Sequence, residues 1–353
     1  MAIGERSVPI TQAAPVMVRA NSSCLGPEAI DRDLNIEDTT PRRVTGHSGV
    51  RPFIRLAVTW TTDSGDMRQR TVWGKEVRQA EAVFHEMKRI HGILTERGIA
   101  APMPHPLALD PKNQLILLEY RKGKALPKSV VADTLVGVPR RPSLELTFTA
   151  IGNWLADYHE ALGTGTLSAP DQALARVDAA LAEPSPLDAG EVGVLRGWLS
   201  RWPSLAGGTS SYENTAPHND FTLRNILWAH PVTFSVVDWD PRLHPDYPRE
   251  GPGWSDVTAL VVNTASLLRF APLVSARRLS TLIRAFLNGY GKTATPEAAA
   301  PHLWLFALQS YLGTIGDRPL YTRYSGKLLS RFTEQLRRKL VEGPEAFRDF
   351  GAW

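Results

Sequence analysis

Apolar positions along this chain of 353 residues follow two regimes. From Arg43 to Tyr120 they come mostly in short β-type runs. Phe53-Ile54-Arg55-Leu56-Ala57-Val58-Thr59-Trp60 is rich in β-branched and aromatic residues, and Thr71-Val72-Trp73-Gly74-Lys75 reads as a further strand with a lysine at its end. Leu107-Ala108-Leu109 and Gln114 to Tyr120 flank a turn at Asp110-Pro111-Lys112-Asn113, a β-hairpin signal. One helix interrupts these strands. Ala80, Val83, Met87, Ile90 and Leu94 recur at three- and four-residue spacing between Val77 and Arg97, and Gly98 and Pro102 end it.

Beyond Gly123 the period becomes helical. Residues 127–142 read as a connector or an insertion, and then Leu144, Phe148, Ile151, Leu155, Tyr158, His159 and Leu162 trace one face of a long helix. His159 on that face is expected to be a buried, hydrogen-bonded core residue. Further stripes follow at about 171–182, 190–201, 256–270, 276–290, 301–314 and 325–342. Only residues 226–229 and 234–237, separated by His230-Pro231, return to strand character. Residues 1–40 show no clear period and read as an N-terminal extension, partly ordered or packed on the first lobe, without an assigned function. The expectation is an α+β protein, with a β-rich N-lobe carrying one main helix (41–122) and a larger, mainly helical C-lobe (123–353).

Composition narrows this only modestly. A hydrophobic share of 43% and a charged share of 22% are those of a globular protein. The net charge of +4 is scattered, and no Lys/Arg run points to nucleic acid. Cys24 alone cannot make an intrachain disulfide, and no segment approaches a membrane span, so the expected setting is cytoplasmic, with no nucleic-acid or membrane partner.

The chemistry concentrates in His218-Asn219-Asp220-Phe221-Thr222-Leu223-Arg224-Asn225 and in Val237-Asp238-Trp239-Asp240. Phosphoryl transfer needs a carboxylate where the acceptor hydroxyl loses its proton, and oxygen donors that hold Mg²⁺ against the phosphates. Asp220 and Asn225 lie on one tight loop, and the strand pair that follows would return Asp238 beside them. His218 is expected to brace the backbone. Upstream, Lys75 needs an acidic partner on the next helix, and Glu86 borders that helix's apolar stripe, whereas Glu81 lies nearer the opposite face. Gly46, Ser48 and Gly49 form a turn whose N–H groups are candidates to approach phosphate.

These segments resemble the aminoglycoside phosphotransferase and choline kinase-like superfamily. The similarity rests on His218 to Asn225, Val237-Asp238-Trp239-Asp240, Leu117 to Gly123, Trp154 to His159 and Asp256 to Leu260, and spans about 42 to 340. It implies a two-lobed protein-kinase-like fold, ATP or GTP with Mg²⁺, and transfer of the γ-phosphate to a small-molecule hydroxyl. It makes Asp220 the catalytic base, Asn225 and Asp238 the metal ligands, and Lys75 with Glu86 the phosphate-holding pair. The backbone at Glu119, Tyr120 and Arg121 would meet the base. Asn219 stands where the family often has glycine, and Leu223 where proline is frequent. The proline-rich stretch from Pro241 to Trp254 is expected beside the acceptor, with Asp240, His244 and Asp246 as acceptor-side residues. Acids there alternate with Arg224, Arg242 and Arg249, which suits a neutral or anionic acceptor such as a sugar or metabolite at least as well as a polycation. The rival readings are a non-catalytic nucleotide-binding protein of this fold and, with no Ala-Pro-Glu element after Asp238, a protein kinase.

Overall fold

The computed structural model describes residues 9–30, 33–46, 49–136, 142–183, 187–209, 211–230, 232–239, 249–270, 273–291, 296–316 and 326–349. The chain divides into two compact units, one formed by Met1–Lys122 with Ser235–Pro245 and the other by Gly123–Phe234 with Asp246–Trp353. It is a mixed α+β protein, as the periodicities require.

The first unit is a five-stranded antiparallel sheet with strand order β1-β2-β3-β5-β4. The strands are β1 (Asn35–Gly46), β2 (Gly49–Thr61), β3 (Met67–Glu76), β4 (Pro106–Asp110) and β5 (Leu115–Glu119). Strand alternation sends Ile54, Leu56, Val58 and Trp60 to one face together with Val72, Leu115 and Leu117. That face is covered by a helix the sequence pattern did not reveal, α1 (Ile10–Ala20). Its Ile10, Ala13, Ala14, Met17 and Val18 are buried against the sheet. Small residues make the approach possible: a Cβ built on Gly74 would lie 3.1 Å from Ala14 Cβ and 2.7 Å from Ile54 Cγ2. The N-terminal stretch is thus part of this unit's core. Helix α2 (Ala80–Glu96) buries the expected stripe of Ala80, Val83, Met87, Ile90 and Leu94.

The second unit is mainly helical. Residues 126–134, expected to be connector, form α3 (Leu126–Thr134), because Leu126 and Val130 at i, i+4 supply a buried face and Pro127 sits in the first turn, where proline is tolerated. Then come α4 (Pro142–Ala161), α5 (Pro170–Ala182), α6 (Ala189–Leu205), α7 (Trp254–Ala265), α8 (Ala276–Tyr290), α9 (Pro296–Gly316) and α10 (Gly326–Glu342). Two short sheets complete it. β6 (Lys124–Ala125) pairs with β9 (Ile226–His230), which is followed by β10 (Thr233–Val236). β8 (Tyr212–Thr215) lies between β7 (Leu167–Ser168) and β11 (Gly251–Pro252). Asp133, Arg278 and Glu145 tie α3, α8 and α4 by an ion network in which Asp133 and Arg278 are buried, Arg278 Nε donating to Asp133 Oδ2 at 2.7 Å. Among the described residues no helix is long and apolar enough to cross a membrane.

Candidate active site

In the second unit the segment from His218 to Asn225 is an irregular loop closed by one 3₁₀ turn, Leu223–Asn225. Phe221 and Leu223 are fully buried and pin it from within. Asn219 adopts φ 67°, the left-handed region that glycine and asparagine tolerate best. Asparagine is therefore well suited to this position.

Such a loop cannot satisfy its own N–H groups through a helix or a ladder. Asp256, in the first turn of α7 and 1% exposed, does so instead. Its Oδ2 accepts from His218 N at 2.7 Å, and its Oδ1 accepts from Asn219 N at 3.0 Å. Seven residues further along α7, Asn263 Oδ1 accepts from Leu223 N at 3.1 Å. Two turns of one helix therefore grip the loop at both ends. His159 Nε2 lies 3.2 Å from Asp256 Oδ2, and His159 Nδ1 lies 3.0 Å from the Tyr290 hydroxyl. Burial alone would raise the Asp256 pKa, but the bonds and charges of His159 and His218 hold it below the ordinary aspartate value. Burial, then the charges of Asp256 and Glu213, push the Tyr290 phenol up. Tyr290 hence stays neutral. His159 is the buried, hydrogen-bonded residue expected, with a supporting place beneath the loop.

The loop presents Asp220 in a defined orientation. Its Oδ2 accepts from Asn225 Nδ2 at 2.9 Å and from Arg224 Nη2 at 2.8 Å. Asn225 Nδ2 also donates to the Asp220 carbonyl at 2.9 Å. With Nδ2 committed to Asp220, the Asn225 carboxamide has its Oδ1 turned away from that pair. His218, 1% exposed, accepts the Asp220 N–H on Nδ1 at 3.3 Å, as a bracing residue would.

In the first unit Lys75, on β3, and Asp238 come together: Lys75 Nζ donates to Asp238 Oδ1 at 2.5 Å. Asp238 follows β10 and adopts φ 67°, a backbone conformation that aspartate accepts more readily than most residues. Glu86 on α2 receives a fork from Arg89, with Nε and Nη2 at 2.8 and 2.9 Å. Glu119 and Arg121 pair at 2.9 Å, and Arg121 Nη2 donates to Met103 O at 2.9 Å. Those side chains stiffen the end of β5. Tyr120 packs edge-on against Trp73, a contact no sequence signal pointed to. Gly46 ends β1 and pairs with Gly49, while Ser48, Asp240, His244 and Asp246 lie outside the described residues.

Asn225 of the second unit and Asp238 of the first each carry a hard oxygen donor of the kind that suits Mg²⁺.

Comparison with known proteins agrees with this chemistry. The model of the phosphotransferase enzyme family matches residues 61–244. By sequence, none of the curated proteins matches. Among solved structures, a Ralstonia eutropha protein described as an aminoglycoside phosphotransferase superposes with a TM-score of 0.57 at 16% identity, over 96% of this chain and 98% of that one. A choline/ethanolamine kinase family protein from Mesorhizobium loti gives 0.52 at 17% identity, with 97% and 98% covered. Choline kinase LicA from Streptococcus pneumoniae gives 0.51 at 13%, with 95% and 100% covered. At these identities the likeness establishes the fold.

Proposed function

The chain is a member of the phosphotransferase enzyme family, and from that premise we propose that it transfers the γ-phosphate of ATP or GTP to a hydroxyl of a small molecule. The observation that carries this reading is the Asp220 carboxylate, fixed through Oδ2 by Asn225 and Arg224 on a loop that Asp256 anchors. Held in this way, Asp220 has Oδ1 to accept a hydroxyl proton. As the acceptor oxygen bonds to phosphorus, the bond from phosphorus to the bridging oxygen breaks and the nucleoside diphosphate leaves. Asn225 and Asp238 would hold Mg²⁺, which when bound neutralises phosphate charge. Lys75 would meet the phosphates, Glu86 would steady Lys75, and the backbone from Glu119 to Arg121 would meet the base.

The acceptor class we favour is a sugar, an aminoglycoside-like compound or a related metabolite. Asp240, His244 and Asp246 are its candidate contacts, and the mixed charge around them suits a neutral or anionic molecule at least as well as a polycation. The test is nucleotide consumption by wild type and Asp220→Ala, with Mg²⁺, across sugars, amino alcohols, aminoglycosides and nucleosides. Turnover stimulated by one acceptor class and absent in the variant is the expected result. Stimulation that survives in Asp220→Ala would remove the residue from its role.

A further inference from the structure

Within the second unit the charges around the Asp220 loop are one-sided. β6 and α3 pack against the 3₁₀ turn Leu223–Asn225. On these three elements the exposed charged side chains are Lys124, Lys128 and Arg224, all of them basic. The acid of α3, Asp133, is buried and paired with Arg278, so its charge is neutralised inside the unit.

Arg224 stands nearest the chemistry. Its neighbours Leu223 and Asn225 are buried, which turns the Arg224 side chain outward, and that side chain is 49% exposed. Its Nη2 donates to Asp220 Oδ2 at 2.8 Å. A hydroxyl that hydrogen-bonds the other carboxylate oxygen, Oδ1, comes within roughly 6 Å of this guanidinium. Arginine keeps its charge across the working pH range, and its planar fork matches a carboxylate or a phosphate. At such a distance, in a half-exposed setting, one fixed charge changes the affinity for a charged neighbour by about tenfold.

From this we propose that Arg224 selects the acceptor by charge, and that the acceptor is a hydroxylated anion, with a carboxylate or phosphate ester near the hydroxyl that reacts. Arg224 draws that group toward the Asp220 loop, with Lys124 and Lys128 adding to the same field. A polycation meets like charge from all three. Specificity here is a difference between attraction and repulsion at one residue. The proposal rests on the phosphotransferase reading and narrows its acceptor.

The probes are three pyranoses of similar shape: glucuronate, glucose and glucosamine, which at neutral pH are an anion, a neutral sugar and a cation. Initial rates of Mg–ATP consumption give kcat/KM for each with wild type, Arg224→Gln and Arg224→Lys, and thermal unfolding of each protein accompanies them. Because Arg224 also holds Asp220, both variants can lose activity in common, and the ratio of glucuronate to glucosamine divides that loss out. Wild type should use glucuronate best and glucosamine least. The ratio should fall about tenfold in Arg224→Gln and stay within about threefold of wild type in Arg224→Lys, which keeps the charge. Added salt should lower the wild-type value for glucuronate more steeply than that of Arg224→Gln. An unchanged ratio in Arg224→Gln, including an equal loss for all three sugars, would mean that Arg224 serves only Asp220 or the nucleotide, and would overturn the proposal. So would a wild type that prefers glucosamine, or one that uses some other acceptor but not glucuronate. Each of these leaves the phosphotransferase reading intact. No nucleotide consumption with any acceptor would sink both.

Discussion

The two working segments are supported in opposite ways. The Asp220 loop is held by polar groups: a buried carboxylate and a half-buried carboxamide on α7 take its backbone N–H groups. The Lys75 strand is held by apolar packing, with α1 lying behind Gly74 through Ala14. The difference follows from backbone chemistry. A strand satisfies its N–H and C=O groups in the ladder and needs only a packed face, whereas an irregular loop leaves donors that something must accept. Polar support fixes a loop at the level of single atoms. Apolar support fixes a strand as a rigid element.

Removing the chemistry without touching either support should have the largest effect. Asp220→Ala is expected to lower kcat by about a hundred- to ten-thousandfold, the range of a positioned general base, while the melting temperature changes little. Steady-state kinetics with the best acceptor checks this.

Next is the apolar support. Deleting residues 1–20 exposes the sheet face that Ile10, Met17 and Val18 bury. At about 1.5–3 kcal/mol for each such side chain, the first unit should lose roughly 5 kcal/mol, read from denaturant unfolding. If stability is unchanged, α1 is not part of the core.

The polar support should respond to charge. Asp256→Asn keeps the shape and leaves at least one of the N–H groups of His218 and Asn219 without a full acceptor, at about 2–5 kcal/mol. Because the folded-state pKa of Asp256 is depressed, its contribution is present above the ordinary value of 3.8 and is lost as pH falls below it, through the folded value. The asparagine variant should therefore show a flatter loss of stability below that pH than wild type. An identical acid limb in the two proteins would contradict the anchor.

The smallest change tests the strand. Gly74→Ala places a methyl 2.7 Å from Ile54 Cγ2, an overpacking of about 1–3 kcal/mol. With β3 displaced, the KM for nucleotide should rise while kcat holds. A fall in kcat alone would mean that the strand does not serve nucleotide binding.

The same contrast explains what the sequence made legible. Asp220, Asn225, Lys75 and Asp238 stand out as candidates because phosphoryl transfer demands fixed residue types in a fixed order, and long stripes such as those of α2 and α4 were visible because burial imposes a period. Asp256 and Asn263, seven apart on one face of a helix, were a readable signal of a gripping face, yet spacing alone does not say what they grip. The helix α1 was hidden by its own composition. Small alanines and an internal proline weaken the apolar stripe, and the residues that let it approach, Gly74 and Ala14, mean little until the fold joins them.

The division of labour is tested most directly by measuring Mg–nucleotide affinity and turnover side by side in Asp220→Ala and Asp238→Ala. Asp220→Ala should bind nucleotide within about threefold of wild type and fail to turn over, since it removes the proton acceptor and no proposed ligand of the ion. Asp238→Ala should bind Mg–nucleotide at least about tenfold more weakly, since it removes a hard oxygen donor. If instead both variants keep wild-type turnover, or Asp220→Ala loses nucleotide binding while Asp238→Ala keeps it, the assignment of proton acceptance to one segment and nucleotide holding to the other is wrong.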